Sequence, residues 1–209
     1  MKRDTRTRIL VSSLLLFNEN GEPNTTTNEI ADEVDISPGN LYYHFNRKSD
    51  LVDALLLEFQ ADAKQVLRPP ESQQASLDDF WVFLHLLLEL TAAYRFLLRD
   101  MESLIAEYSK VGHALKHFAR GLAASFELYL HSLVAGGQIQ LDNRDMRVVS
   151  RNLAVIALFS ERFDALVDSP RTADDSAVHI AAAVLNTLKP FVAGDAVGHL
   201  AKLATYYET

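Results

Sequence analysis

The chain has 209 residues and 48% of them are apolar, so it is long enough to bury a core in one large or two small domains. It contains no cysteine, which excludes disulfides and thiolate metal sites and suits a reducing cytoplasm. The net charge of −8 excludes strong non-specific binding to nucleic acid through bulk positive charge.

The N-terminus has the outline of a secretory signal, because basic residues between positions 2 and 8 precede the apolar segment 9–17. Two serines interrupt that segment, however, and no small-residue cleavage site follows it. No later segment has the uninterrupted apolar length of a membrane-spanning helix. We therefore predict no membrane association and a first helix from Thr5 to Asn18, closed by Gly21, with a buried stripe of Leu10, Leu14 and Phe17.

A second short helix is predicted at Thr26-Thr27-Asn28-Glu29, which has the spacing of a capping box. In such a box the threonine caps the helix and the glutamate reaches back to the backbone of the cap. Asp35 follows the apolar residues of this helix, and aspartate tolerates the left-handed backbone of a tight turn. We expect this turn to lead directly into a third helix.

The third helix is predicted from Ser37 to Phe45, because Ser37 is a good N-cap and Pro38 suits the first helical position. Leu41 and Phe45, four residues apart, would face inward. Two short helices that meet at a tight turn form a helix-turn-helix, in which the third helix is the candidate recognition helix for the DNA major groove. Its exposed side would present Gly39, Asn40, Tyr43 and His44.

The fourth helix is predicted to run from about Arg47 to Leu67, with Asn46 as its cap and Pro69-Pro70 at its end. Arg47 and Lys48 would then lie in its first turn, where a cation opposes the helix dipole unless an anion is nearby. A DNA phosphate would be such an anion.

A dense pattern runs from about Thr5 to about Leu51, and its residues are Ile9-Leu10, Leu16-Phe17, Gly21, Thr25-Thr26, Ile30-Ala31, Ile36-Ser37, Gly39-Asn40-Leu41-Tyr42, His44-Phe45, Lys48 and Leu51. In this pattern the sequence resembles the TetR-type bacterial transcriptional regulators. Ser12-Ser13 departs from the family's usual pair of small apolar residues, and Asp35 departs from its usual glycine or alanine. The resemblance implies an all-α protein. Its N-terminal three-helix helix-turn-helix domain, residues 1–50, would be joined by a connecting helix to a larger helical ligand-binding and dimerisation domain, residues 51–209.

The resemblance also implies which residues contact operator DNA. Asn40 carries the donor and the acceptor that reading adenine requires, Gly39 permits close approach, and Tyr43 can cover a thymine methyl. Either Tyr42 or Tyr43 could instead lie in the core, but not both. The positions that usually hold phosphates are matched by Thr26, Thr27, Tyr42, His44 and Lys48. The positions near bases or the adjacent backbone are matched by Asn28, Ser37, Pro38, Gly39, Asn40 and Tyr43.

The rest of the chain predicts helices, because no segment alternates like a strand over a useful length. Ser76 can cap a helix that extends to about Ala93 and is apolar on most sides, so this helix is predicted to be central in the second domain. Gly112 is predicted to separate two helices. The other predicted helices are one or two within Tyr94–Tyr108, then His113–Ala135 stopped by Gly136-Gly137, Arg144–Val167, Asp174–Phe191 interrupted at Pro190, and Asp195–Tyr206.

The last two long helices carry much apolar surface for the end of a chain. This surface can pack within one chain, or two copies can form a four-helix dimer interface, as the family resemblance implies. A two-fold dimer also suits a pair of recognition helices that bind an inverted repeat. The candidate interface residues are Phe159, Phe163, Leu166, Val184, Leu185, Leu188 and Phe191.

A site for a small, largely apolar effector is predicted among the central helices. Aromatic side chains and a methionine between helices would line an apolar cavity, but the same residue types also fill a packed core, and periodicity does not separate the two. The candidate lining residues are Phe83, Leu87, Phe96, Met101, Leu104, Tyr108, Phe118, Leu122, Phe126 and Phe159.

The sequence gives no sign of an enzyme. His113 and His117 have the i, i+4 spacing of a metal pair, but no third ligand stands at a characteristic offset. The sequence contains no glycine-rich phosphate loop and no nucleophile elbow. It therefore indicates no metal and no cofactor.

These patterns favour a cytoplasmic homodimer that binds operator DNA as a repressor and is released by a small-molecule effector. In that hypothesis the effector shifts the fourth helix and changes the separation of the two recognition helices. One alternative is a DNA-binding module without an effector, whose second domain only dimerises or binds a protein partner. Another is an all-α enzyme or lipid carrier, which would require the surface formed by residues 37–48 to be incidental.

Overall fold

The computed structural model describes residues 5–70, 74–167, 173–194 and 196–205. A single antiparallel bridge pairs Ile139 with Val192, and the rest of the regular structure in these ranges is helical, so the all-α prediction is confirmed. A 3-10 turn, Lys189–Phe191, follows α10. The helices are α1 (Thr5–Asn20), α2 (Thr27–Val34), α3 (Pro38–His44), α4 (Lys48–Val66), α5 (Leu77–Ala93), α6 (Arg95–Arg99), α7 (Met101–Glu107), α8 (Ser109–Ala135), α9 (Asn143–Val167), α10 (Ala173–Leu188) and α11 (Ala196–Thr205).

The helices form two compact units. The first unit contains the chain up to Asp62 together with Ala93–Lys116, and the second contains Ala63–Ala92 and the chain from His117 onward. Helices α6 and α7 and the start of α8 therefore belong to the same unit as the first three helices. A functional boundary after residue 50 stays a prediction.

The core of the first unit joins α1 to α6 and α4 to the residue before α6. The ring of Phe17 lies 5.4 Å from that of Phe96, and the ring of Phe59 lies 5.4 Å from that of Tyr94. The Tyr94 hydroxyl donates to Asp62 Oδ2 at 2.8 Å, and burial together with this carboxylate raises the pKa of Tyr94. The fully buried apolar residues of α1 to α4 include Ile9, Phe17, Ile30, Leu41, Leu51 and Leu55.

The predicted stripe of α1 is confirmed for Leu10 and Phe17, whereas Leu14 is only half-buried. Ser13 is buried instead, and its hydroxyl donates to the backbone oxygen of Ile9 at 2.7 Å. This bond satisfies the hydroxyl, so a serine fits where the resembling family has a small apolar residue.

Helix α4 begins at Lys48, and the predicted cap at Asn46 is wrong. The carboxylate of Asp50 accepts a hydrogen bond from the backbone N–H of Arg47 at 3.1 Å. Arg47 therefore occupies the cap position, because an acidic residue three positions later satisfies its backbone donor.

The predicted break at Gly112 is also wrong, because α8 starts at Ser109 and continues through this glycine. The chain turns at Tyr108, one residue before the start of α8, and Tyr108 has the extended angles φ −120° and ψ 98°. A Cβ at Gly112 would lie 3.4 Å from Cγ2 of Ile105, so the glycine lets α7 and α8 pack closely.

The remaining helix ends follow the predicted chemistry with small shifts. Helix α9 begins at Asn143 rather than Arg144, after Asp142, whose Oδ1 accepts from the backbone N–H of Arg144 at 2.9 Å. Helix α10 ends at Leu188, because Pro190 has no amide hydrogen to continue the helix. Residues 195 and 206, the predicted ends of the last helix, lie outside the described ranges.

The second unit is organised around aromatic residues of α5 and α8. The rings of Phe83 and Tyr129 stack at 4.5 Å, and Phe83 lies edge-on to Phe126 at 5.4 Å. Ser76 and Asp79 exchange hydrogen bonds as a capping box at the start of α5, so the predicted cap is confirmed. These hydrogen bonds hold the pKa of Asp79 below its usual value.

Replacing Gly21 by alanine is expected to lower the free energy of unfolding by about 1–3 kcal/mol, because a side chain is strained in this backbone conformation. Gly21 has a φ of +92°, and an added Cβ would lie 3.2 Å from Nδ2 of Asn24. Urea unfolding followed by circular dichroism measures the change. Gly198→Ala, where an added Cβ meets no described atom within 4 Å, is the control and should leave stability unchanged or raise it. Equal stability of Gly21→Ala and wild type would contradict the assigned backbone.

Candidate nucleic-acid interface

Helix α2 is fixed at its start by the predicted capping box. The Thr26 hydroxyl accepts from the backbone N–H of Glu29 at 3.2 Å, and Glu29 Oε2 accepts from the backbone N–H of Thr26 at 2.6 Å. These bonds from Thr26 hold the pKa of the Glu29 carboxyl below its usual value. The box is confirmed, and it leaves Thr26 and Asn28 exposed and Thr27 half-buried.

The turn between α2 and α3 is made by Asp35. Its φ of 56° and ψ of 54° are left-handed, and its backbone N–H donates to the carbonyl oxygens of Ala31 and Asp32. Aspartate tolerates this conformation, so the departure from the family's usual glycine or alanine keeps the tight turn. The helix-turn-helix is thereby confirmed.

Helix α3 has one buried side and one exposed side. Leu41 and Phe45, the residue after the helix end, are buried, as predicted. The Ser37 hydroxyl accepts from the backbone N–H of Asn40 at 3.2 Å, which confirms Ser37 as the N-cap. The exposed side carries Pro38, Gly39, Asn40, Tyr42 and Tyr43, with His44 half-buried beside them.

Both tyrosines lie outside the core. Tyr43 is 84% exposed, and its ring lies edge-on to that of His44 at 5.2 Å. The hydroxyls of Tyr42 and Thr27 lie 3.0 Å apart, so a hydrogen bond connects the exposed faces of α2 and α3. Two of the residues predicted to hold phosphates are thus already oriented by each other.

The two cations at the start of α4 have different environments. The Arg47 side chain is 80% exposed. The Lys48 side chain is only 25% exposed, and its Nζ lies 3.0 Å from Oε1 of Glu22. The anion that offsets the helix dipole at Lys48 is therefore a carboxylate of the same chain, and the predicted phosphate contact of Lys48 stays a prediction.

The basic residues of α1 also have internal partners. The guanidinium of Arg6 lies 4.8 Å above the ring of Phe45, and Arg8 donates to the backbone oxygen of Val34. These contacts attach α1 to both helices of the helix-turn-helix.

A group of residues that the sequence analysis did not bring together surrounds Glu22. The backbone N–H of Glu22 donates to Asp100 Oδ2 at 2.8 Å, and the Tyr108 hydroxyl donates to Glu22 Oε1 at 2.6 Å. Arg99 donates to the backbone oxygens of Asn18 at 2.7 Å and of Phe17 at 2.6 Å. No local pattern could have revealed this group, because its members lie about 80 residues apart in the sequence.

The predicted effector residues do not all share one environment. Phe83 and Phe126 are in contact in the second unit, where Leu87, Phe118 and Leu122 are also buried. Phe96 packs against Phe17, and Tyr108 donates to Glu22, so both belong to the first unit. In that unit Leu104 is buried and Met101 half-buried.

The predicted dimer residues divide between exposed and buried positions. Val184, Leu185 and Leu188 of α10 are buried within the chain, and Phe191 is half-buried. Phe159, Phe163 and Leu166 of α9 are exposed, with Leu166 85% exposed. Their spacing of four and three residues places these three on one side of α9.

The described residues give no sign of a metal site or a membrane span. His113 Nδ1 lies 3.0 Å from the backbone oxygen of Ser109, and no group of three or more potential ligands of the kind His, Asp or Glu occurs in the described ranges. Within those same ranges, every helix is too short or too polar to cross a bilayer.

Similarity to known proteins covers both units. The family described as "Bacterial regulatory proteins, tetR family" matches residues 9–55, and the TetR family described as "Bacterial transcriptional repressor" matches residues 58–200. UidR, an HTH-type transcriptional regulator of Escherichia coli, is 41% identical over 66 residues, which are 32% of this chain and 34% of UidR. The match thus spans about a third of the length of such curated relatives.

Solved structures resemble the chain over nearly its whole length. A TetR-family transcriptional regulator from Marinobacter aquaeolei VT8 is 30% identical with a TM-score of 0.87, and the similarity covers 99% of both chains. GusR of Salmonella enterica is 26% identical with a TM-score of 0.55, over 88% of this chain and 95% of GusR. With both family descriptions matched and a full-length structural relative, the chain belongs to the TetR family of bacterial transcriptional regulators.

Proposed function

We propose that the protein is a cytoplasmic homodimer that represses transcription by binding an inverted-repeat operator and releases it when a small, largely apolar molecule binds. The observation that carries this proposal is the exposed side of α3, where Gly39, Asn40 and Tyr43 are open to solvent. Leu41 and Phe45 are buried on the other side and hold the helix against the core. An exposed tyrosine and asparagine on a rigidly capped helix after a tight turn suit insertion into a major groove.

In this proposal the contacts are divided between backbone and bases. Thr26, Thr27, Tyr42 and His44 would hold phosphates at the edges of the groove. Asn28, Ser37, Pro38, Gly39, Asn40 and Tyr43 would approach bases or the adjacent backbone. Lys48 is the exception among the predicted phosphate contacts, because Glu22 holds its amine.

Dimerisation is proposed through α9. Phe159, Phe163 and Leu166 form an exposed apolar stripe, a feature that in soluble proteins marks an interaction surface. Val184, Leu185 and Leu188 would support this interface from within the chain, where they are buried beside α9.

Replacing Phe163 by glutamate is expected to raise the dimer dissociation constant by at least about 30-fold, because a two-fold interface buries the substituted residue twice. Sedimentation velocity over a concentration series measures the constant. Leu57→Glu, at a residue of α4 that is similarly exposed, is the matched control and should leave the dimer intact. A wild-type monomer, or equal dimerisation of both variants, would refute the proposed interface.

The effector part of the proposal is supported by the apolar interior of the second unit, where Phe80, Phe83 and Phe126 meet. Helix α4 extends from the helix-turn-helix into the second unit without a break, and this suits transmission of a ligand's effect by a shift in population. A panel of apolar small molecules, scanned for a rise in melting temperature and for release of DNA, tests this part. Compounds that stabilise the protein and release DNA support the effector, whereas DNA binding indifferent to the whole panel favours a module that only dimerises or binds a protein partner.

A further inference from the structure

Lys48 makes its polar contacts within the chain rather than toward the exposed face of α3. Its Nζ pairs with Oε1 of Glu22 at 3.0 Å and donates to the backbone oxygen of the same residue. It also lies 5.7 Å from the centre of the Phe17 ring. The Glu22 side chain is 5% exposed and that of Lys48 25%, so the carboxylate of the pair is largely removed from water.

Glu22 is also held by residues at the two ends of α7. The Tyr108 hydroxyl donates to its carboxylate at 2.6 Å, and Asp100 Oδ2 accepts from its backbone N–H at 2.8 Å. Burial and the Glu22 carboxylate raise the pKa of Tyr108, so the phenol is neutral and remains a donor. Asp100 is itself paired with Arg99. The loop between α1 and α2, the first turn of α4 and the segment around α7 therefore meet at one carboxylate.

This geometry disfavours a phosphate contact for Lys48. To reach a phosphate, the amine would have to leave Glu22, and a buried carboxylate that loses its cation is strongly destabilised. Arg47, one residue earlier, is 80% exposed and its guanidinium has only a long contact of 3.9 Å with the carboxylate of Asp50, so it can turn to a phosphate at little cost. Only Phe45, Asn46 and Arg47 separate α3 from Lys48, so the anchor at Lys48 restricts the orientation of α3 directly.

We propose that Lys48 is a positioning residue rather than a phosphate ligand: its buried ion pair with Glu22, fastened by Tyr108 and Asp100, sets the orientation of α3 for reading bases. The inference rests on the proposed DNA-binding function. It assigns to Glu22 and Tyr108 a role in specificity, although neither lies on the exposed face of α3.

The test compares affinity for two duplexes, one selected by the wild-type chain from a random pool and one of random sequence, across a salt series. Lys48→Met and Glu22→Gln are each expected to lower the ratio of selected to random affinity by at least about tenfold, as for a mismatched base pair in the site. The slope of log affinity against log salt should not change. The double variant should lose no more than the worse single variant, because both remove the same pair.

A phosphate-binding lysine gives different results. Lys48→Met would then reduce the salt slope by about 0.9 per chain and leave the ratio between duplexes unchanged. Glu22→Gln would release the amine toward DNA and tighten binding. Arg47→Met is the matched control, because it removes the same charge from an exposed neighbour and reports what loss of a cation alone does to the slope.

Tyr108→Phe keeps the proposal testable if the charge variants do not fold, because it leaves the ion pair in place and removes one hydroxyl. This variant should also lower the ratio of selected to random affinity, but by a smaller factor than the charge variants. A purely structural role would reduce the folded fraction and weaken binding to both duplexes equally, so an unchanged ratio in the folded variants would overturn the inference. Failure of the wild-type chain to select any duplex would instead refute the proposed DNA-binding function.

Discussion

Asn40→Ala is expected to weaken binding to the selected operator by about 30-fold or more, because a bidentate contact between an asparagine and adenine contributes about 1–3 kcal/mol and a dimer makes two. The Asn40 side chain is exposed on α3. The bond to Ser37 uses the backbone N–H of Asn40, which alanine retains, so the helix cap should survive the substitution. Affinity for random DNA should change little, because backbone contacts carry that binding.

The measurement is fluorescence anisotropy with the selected duplex and with duplexes that carry each base change in turn. The variant should lose discrimination at one base pair in each half-site and keep it at the others. Asn20→Ala, at an exposed asparagine at the end of α1, is the control and should bind as wild type does. An Asn40→Ala variant that keeps wild-type affinity and selects the same site would show that Asn40 reads no base.

Gly39→Ala is expected to shift stability and DNA affinity in opposite directions. The nearest atom to an added Cβ is the Ser37 hydroxyl at 4.0 Å, so the fold has room for it. Alanine is also favoured over glycine inside a helix by roughly 0.5–1 kcal/mol. If Gly39 approaches the DNA backbone or a base edge, the added methyl group should make both half-sites fit less well. Operator affinity should then fall by at least about tenfold.

Thermal unfolding and anisotropy on the same preparation separate the two effects. A higher melting temperature with weaker binding is the expected result. Gly198→Ala, at an open glycine in α11, should leave operator binding unchanged. If Gly39→Ala bound the operator as tightly as wild type, the close approach of α3 at this residue would be excluded.

Local chemistry explains why the helix-turn-helix could be predicted from the sequence. The capping box at Thr26, the tolerant aspartate at residue 35 and the Ser37-Pro38 start each depend on neighbours within a few residues, and all three form as predicted. Two helix ends were predicted wrongly. Gly112 lies inside α8, where the missing side chain lets Ile105 of α7 pack against it. Arg47 caps α4 because Asp50, three residues later, satisfies its backbone N–H, a local signal that the prediction of a cap at Asn46 overlooked.

The environment of Lys48 shows what a single sequence does not contain. The predicted cap at Asn46 placed Lys48 in the first turn of a helix, and the dipole argument correctly required an anion nearby. The anion proved to be Glu22, 26 residues away, which is held in turn by Tyr108, 86 residues from it. Such contacts depend on the packing of α6 to α8 against α1, and periodicity within one helix carries no information about that packing.

The predicted effector residues illustrate the same limit. Phe96 and Tyr108 have the composition of a pocket lining, yet they contact Phe17 and Glu22 in the unit that contains the helix-turn-helix. A helix that is apolar on several sides does not reveal which neighbour covers each side.

The central claim, that this TetR-family chain is a dimer that reads DNA with α3, is tested most directly by selecting duplexes from a random pool with the 209-residue protein. The expected result is an inverted repeat bound by two chains, at least about 1,000-fold more tightly than random DNA at physiological salt, with Asn40→Ala losing most of that preference. Recovery of no enriched sequence, or an enriched sequence that Asn40→Ala and Gly39→Ala bind as tightly as wild type does, would contradict it.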